Sequence, residues 1–251
     1  MNFKGKGAYV VYVTAFEMIF DVAKIIIIFQ TLLHKNNLLE LYNIFCNVSK
    51  FMLYYQVKFF LRRGKTMYLI VGLGNPEPEY SKTRHNMGFD VINKLSAKYE
   101  IEVKKEKFNG LFGTGVIEGE KVILLKPQTF MNASGECVEK FAKFYKIEAK
   151  DIITIFDDID IETGTMKIRK KGGAGTHNGM KSMVKELNTT DFPRVRVGTG
   201  KQEKIADLVD YVIGRVDDEE YKKLEIGVEK AEVAVEEILK IGIDNAMNRL
   251  N

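Results

Sequence analysis

Cysteine and histidine are scarce in this 251-residue chain, at two and three residues. Cys46 and Cys137 cannot build a disulfide framework or a four-thiolate zinc site. Three histidines leave little material for a metal centre, so neither a metal nor another cofactor is expected. Four prolines against 21 glycines exclude a collagen-like repeat, and 45% hydrophobic residues with both charge signs exclude a wholly disordered chain. No internal repeat or low-complexity linker interrupts it. Also missing is an uncharged apolar run of about 20 residues, the length a membrane helix needs. Glu17, Asp21 and Lys24 break the run between residues 9–13 and 25–29, and Gln30, Asn36 and Asn37 stop the next. No small-residue cleavage pattern follows, as a secretory signal requires, and the acids present with little Arg and Ser argue against a transit peptide. The expectation is a cytoplasmic protein with no membrane partner for residues 67–251.

The formal net charge of +4 conceals an uneven distribution. Residues 1–66 hold nine Lys/Arg and three Asp/Glu, while residues 67–251 hold 29 and 31. Within the latter, residues 167–204 carry ten basic and three acidic side chains, and residues 205–251 carry six and twelve. A local basic patch fits a docked polyanion better than a diffuse excess does. Ordinary solvated charge remains the alternative. Met67 opens a new pattern directly after Arg62, Arg63 and Lys65. Residues 1–66 therefore read as an N-terminal extension, translated upstream of a misassigned start, with a helical extension and a membrane-associated segment as the alternatives, and residues 67–251 read as one domain.

From Met67 onward strand and helix alternate. Residues 68–72 form a short apolar run ending in Gly, and residues 86–99 have helical spacing at Phe89, Ile92, Leu95 and Tyr99. Residues 112–117 and 122–125 read as strands around the turn at 118–120. A helix follows Asn132, with Val138, Phe141, Ala142 and Tyr145 on one face. The β-branched run 152–156 suits the inside of a sheet, and Met166–Arg169 suits a further strand. The glycine-rich stretch 172–179 leads into a short helix lined by Met180, Met183, Val184 and Leu187. Residues 195–197 return to strand, and residues 217–240 form a long charged helix. This order predicts a single α/β domain with a mixed, mostly parallel sheet flanked by helices.

Ligands of such sheets sit beyond the carboxyl ends of the strands. The residues found there are Asn75, Tyr80 and His85, then Phe130, Met131 and Asn132, then Asp157 and Asp158, then His177 and Asn178. The set is rich in amides and poor in nucleophiles. Without a Gly-x-Ser-x-Gly elbow, and with Cys137 inside a helical stripe, activated water is the remaining nucleophile. His85 suits the base and Asp157 the carboxylate that holds its tautomer. Helix-entry and turn roles remain open for both, as capping and turn roles do for Asn75, Asn132 and Asn178. The glycine stretches lack the endings of nucleotide motifs, which disfavours a nucleotide-binding enzyme. Two readings stand at this point: a water-activating hydrolase, or a non-catalytic RNA-binding α/β module.

Six blocks carry a resemblance: Val71-Gly-Leu-Gly-Asn-Pro76, Thr83-Arg-His-Asn-Met-Gly88, Lys126-Pro-Gln-Thr-Phe-Met-Asn132, Phe156-Asp-Asp-Ile-Asp160, Gly175-Thr-His-Asn-Gly179 and Arg194-Val-Arg-Val-Gly198. In order and spacing they closely resemble the bacterial-type peptidyl-tRNA hydrolases, over residues 67–251. The resemblance implies cleavage of the ester between a peptide and the terminal ribose of tRNA, releasing tRNA from stalled translation. It implies that His85 activates water, that Asp157 supports it, and that Asn75 discriminates N-blocked from free aminoacyl groups. Tyr80, Phe130, Asn132 and Asn178 would contact the acceptor end or the peptide, with Met131 lining the site. Arg169, Arg196 and Lys204 would hold tRNA phosphate, inside a patch that includes Lys170, Lys171 and Arg194. Peptidyl-tRNA is the implied partner, no protein partner is implied, and the working state is a monomer. Ala174 and Thr176 depart from the family pattern, where Gly or His is frequent. The non-catalytic alternative would be a module that reads tRNA acceptor stems.

Overall fold

The computed structural model describes residues 67–200 and 207–251. Lys204, Cys46 and the whole extension 1–66 lie outside the described residues.

Seven strands form one sheet in the order β2-β3-β4-β1-β5-β7-β6. They are β1 (Met67–Gly72), β2 (Lys105–Lys107), β3 (Gly110–Ile117), β4 (Glu120–Pro127), β5 (Ile152–Asp158), β6 (Met166–Arg169) and β7 (Arg194–Gly198). The central strands β4, β1, β5 and β7 run parallel, and β2, β3 and β6 complete the edges antiparallel. The helices are α1 (Met87–Lys98), α2 (Ser134–Tyr145), α3 (Asn178–Leu187), α4 (Leu208–Ile213), α5 (Asp218–Ile241) and α6 (Ile243–Leu250). Asp217 caps α5 by accepting the N–H of Glu220, and Asp218, Glu219 and Glu220 place negative charge at its N-terminus.

Alternate residues of each central strand face opposite sides, so the sheet divides two apolar layers. Ile70, Val122, Leu124, Ile153 and Ile155 pack with Val91, Ile92 and Leu95 of α1 and with Leu224, Val228 and Val235 of α5. Leu69, Val71, Ile123, Leu125 and Ile152 pack on the other side with Val138 and Phe141 of α2 and with Met180 and Met183 of α3. Burial on both faces explains the near-continuous apolar reading of β1, β4 and β5.

From β1 the chain crosses to β4 on one side and then to β5 on the other. The switch opens a crevice beyond the carboxyl end of β1. One close approach closes its floor. A Cβ on Gly72 would lie 2.2 Å from the carbonyl oxygen of Gly88, and one on Gly88 would lie 2.5 Å from the backbone of Leu73 and Ile155. Only glycine lets the start of α1 sit this deep against β1 and β5.

Candidate active site

A one-turn 3-10 helix, Arg84–Asn86, leads into α1 and carries His85, which is buried. Across the crevice Asp157 stands one residue from the end of β5, 3% exposed. Nδ1 of His85 lies 2.9 Å and 3.0 Å from the two carboxylate oxygens of Asp157. A second imidazole shares the carboxylate: Nε2 of His177 is 3.0 Å from Oδ1 of Asp157. Nδ1 of His177 accepts the N–H of Met180, which caps α3 and leaves the proton on Nε2. Both rings therefore donate to Asp157, and the Nε2 lone pair of His85 remains to take a proton.

His85, Asp157 and His177 are also the one group of potential metal ligands among the described residues. The tautomer that Met180 imposes on His177 puts a proton on the very nitrogen that faces Asp157. The trio fits two N–H donors on one carboxylate better than a ligand set.

Electrostatics follow the same logic. Burial pushes the His85 pKa down, but the negative charge of Asp157 and its hydrogen bond outweigh that and raise it above the usual 6.5. Burial works to raise the Asp157 pKa, yet the two histidines together hold it well below the usual carboxylate range. Cys137 is fully buried in the α2 layer, and burial pushes its thiol up to about 12, which removes it as a nucleophile.

The wall beside the base is built from amides. Oδ1 of Asn75 accepts the N–H of Met131 at 2.9 Å, joining the loop after β1 to the loop after β4. The side chain of Asn86 accepts the N–H of Asn75 at 2.8 Å and donates to its carbonyl at 3.0 Å. Asn75 is thus fixed on both sides, with its Nδ2 donors uncommitted among the described residues. Phe130 holds φ at +56°, a conformation bulky residues rarely adopt, and it is 41% exposed. Ser134 stabilises that turn by donating to the carbonyls of Phe130 and Met131.

Asn75, Tyr80, His85, Phe130, Met131, Asn132 and Asn178 line one cleft, roofed by Val209, Val212 and Ile213. Six sequence-nominated residues surround the base there. Asn132 and Asn178 are exposed and neither caps a helix: Ala133, at the N-cap of α2, offers no side-chain cap, and His177 caps α3. Capping roles for these two amides are therefore set aside.

A second cleft of about 460 Å³ meets the first at His85 and is walled by Arg169, Lys171, Arg196 and the glycine-rich loop. Arg169 is exposed, and Arg196 is half-buried with Nε 2.6 Å from Oδ2 of Asp158. Arg194 departs from the expected patch. It is buried, lies over the Phe192 ring, and donates to the carbonyls of Gly173 and Thr190, so it holds the loop in place. Lys170 is paired with Asp244 at 2.8 Å. Sequence reasoning gave no role to His177 or Asn86. The former was nominated by its place after a strand without a function, and the latter was discoverable as an amide adjacent to the base.

No described helix is long and apolar enough to cross a membrane. The peptidyl-tRNA hydrolase family model matches residues 69–251. A peptidyl-tRNA hydrolase from Caldanaerobacter subterraneus subsp. tengcongensis is 54% identical over 185 residues, covering 74% of this chain and 100% of the relative. One from Alkaliphilus metalliredigens is 51% identical with the same coverage. The crystal structure of peptidyl-tRNA hydrolase from Acinetobacter baumannii superposes with a TM-score of 0.69 at 37% identity, covering 74% of this chain and 94% of that one. Family model, sequence identity, matched length and superposition agree: the chain belongs to the peptidyl-tRNA hydrolase family.

Proposed function

We propose that this protein hydrolyses the ester joining a peptide, or an N-blocked amino acid, to tRNA, with His85 as the base that activates water. Peptidyl-tRNA hydrolases share its fold and about half its sequence over residues 67–251. The observation that carries the mechanism is the Asp157–His85 pair, which puts a proton on Nδ1 and a lone pair on Nε2 at the junction of two clefts. Water held at Nε2 loses a proton to the imidazole as it attacks the ester carbonyl, and Asp157 stabilises the imidazolium formed. The imidazolium returns that proton to the ribose oxygen as the ester C–O bond breaks, leaving free tRNA and the peptide acid. His177 keeps Asp157 in place from the other side.

The uncommitted Nδ2 of Asn75 meets the acyl group and distinguishes a blocked nitrogen from a free amine. Tyr80, Phe130, Met131, Asn132 and Asn178 supply the apolar and amide surface for the peptide and the terminal nucleotide. Arg169 and Arg196 take tRNA phosphate in the adjoining cleft, where Arg196 keeps its terminal amines while Asp158 holds Nε. Lys204 belongs to the same proposal on sequence grounds alone.

Residues 67–251 carry the activity, residues 1–66 are dispensable, and the enzyme acts as a cytoplasmic monomer. Release of N-acetyl-amino acid from its tRNA ester, by the full chain and by residues 67–251 alone, tests this reading. Equal turnover is expected, and no release by either protein would end the hydrolase assignment.

A further inference from the structure

Arg84 shares the one-turn helix of His85 yet lines neither cleft. Its Nη1 donates to the carbonyl of Tyr211 at 2.9 Å, its Nη2 pairs with Glu220, and its guanidinium lies 3.9 Å over the Tyr211 ring. Nε is buried without a partner among the described residues. The hydroxyl of Tyr211 donates in turn to the carbonyl of Thr199, just past β7. The flanking chain is fastened to the same region: the N–H of Val216 bonds to the carbonyl of Lys82 at 3.1 Å, and Arg215 donates to the carbonyls of Pro78 and Glu79.

Tyr211 sits in the middle of α4, whose Val209 and Val212 wall both clefts over His85. Six residues are too few to hold a helix by their own hydrogen bonds, so tertiary contacts decide where α4 lies. Those contacts centre on a buried guanidinium, an expensive group to desolvate, attached to the residue next to the base. The roof and the base come from segments more than 120 residues apart, and Arg84 makes them one piece.

We propose that Arg84 is a positioning residue for the hydrolysis, fixing the α4 roof above His85 so that the ester is held in line for attack. The proposal rests on the hydrolase reading above. Arg84 has no contact with the base nitrogen or with the phosphate clamps. Its loss therefore lowers turnover through geometry and leaves tRNA capture alone.

The full-length protein and its Arg84→Gln, Arg84→Lys, Val212→Ala and Arg84→Gln/Val212→Ala variants are compared on N-acetyl-aminoacyl-tRNA. Amide exchange across residues 208–213 is measured on the same proteins. Arg84→Gln is expected to lower kcat by roughly 10- to 100-fold, an effect of misplacement, with KM within about threefold. Arg84→Lys, which keeps the charge for Glu220 but not the fork and the stacking, recovers part of the loss. The double variant loses little more than the worse single one, because both disturb the same roof. Exchange in α4 accelerates at least about tenfold in Arg84→Gln while that of α1 holds. Wild-type kcat in Arg84→Gln, losses that multiply in the double variant, or unchanged α4 exchange would each overturn the proposal. Should Arg84→Gln fail to fold, Tyr211→Phe removes only the tie to Thr199: reduced kcat at constant KM supports the proposal and unchanged kcat overturns it. A wild-type protein that releases nothing overturns the hydrolase reading, and this proposal with it. Wild-type turnover alongside unchanged kcat in Arg84→Gln overturns this proposal alone.

Discussion

Asn75 anchors Met131: its Oδ1 takes the Met131 N–H at 2.9 Å, so one amide ties two loops together and presents its other half to the cleft. The two roles separate by substitution. Asn75→Asp keeps an oxygen for Met131 and replaces the cleft-side donor with an acceptor, whereas Asn75→Ala removes both. Asn75→Asp is expected to narrow the ratio of N-acetyl to free aminoacyl-tRNA cleavage by roughly 5- to 100-fold, the worth of one hydrogen bond at a buried site. An unchanged ratio with lower total activity would reduce Asn75 to a turn residue.

The pH dependence of activity and that of stability should run in opposite directions. A base works only when neutral, so kcat/KM falls as pH drops through the His85 pKa, with a midpoint above 6.5. Asp157→Asn removes the charge that raises that pKa, so its acid limb should move down as the maximum rate drops. For folding the sign reverses. The raised His85 pKa contributes stability that is full below 6.5 and lost as pH rises through the folded value. The depressed Asp157 pKa contributes stability present above about 3.8 and lost as pH falls through its folded value. Melting temperature against pH, for wild type and Asp157→Asn, should differ most between those limits. Superimposable curves would remove the pair as a source of stability.

Phosphate contacts release counterions, so binding of whole tRNA substrates should weaken with salt at a log–log slope of roughly −0.7 to −0.9 per contact. Arg169→Ala and Arg196→Ala should each raise KM and flatten the slope by about one contact, without affecting a minimal ester that lacks the tRNA body. Arg194→Ala should behave differently: it frees the carbonyls of Gly173 and Thr190 and lowers the melting temperature. Equal losses on minimal and full substrates for Arg169→Ala or Arg196→Ala would point to a damaged site and end their role as a clamp.

Gly88→Ala tests how the crevice is built. Its methyl would meet the backbone of Leu73 and Ile155 at 2.5 Å, where no flexible side chain can yield. A cost at the upper end of the ~1–3 kcal/mol for overpacking is expected in urea melts. Because α1 begins two residues after His85, turnover should fall even where the protein remains folded. A wild-type melt would contradict the close approach.

How much of this was legible in the sequence depended on whether neighbours or distant contacts decided the outcome. The central strands β1, β4 and β5 were readable because burial on two faces writes a near-continuous apolar run. Met166–Arg169 matched residue for residue. By contrast β2 is a three-residue polar edge that exists only because β3 pairs with it. α4 and α6 are short and held from outside. His85 and Asp157 could be nominated because each follows a strand or opens a helix. His177 was nominated without a role because that role depends on Asp157, twenty residues earlier, and Arg194 looked like a surface cation because charge in a sequence carries no burial. The split of the asparagines into one loop anchor and two exposed cleft residues is likewise tertiary information.

The central claim is that His85 is the base, and single-turnover cleavage of N-acetyl-aminoacyl-tRNA by His85→Ala tests it most directly. A folded His85→Ala protein should bind the tRNA substrate within a few fold of wild type and cleave it roughly 10²- to 10⁴-fold more slowly, the usual worth of a general base. Cleavage at the wild-type rate by that folded protein would contradict the mechanism outright.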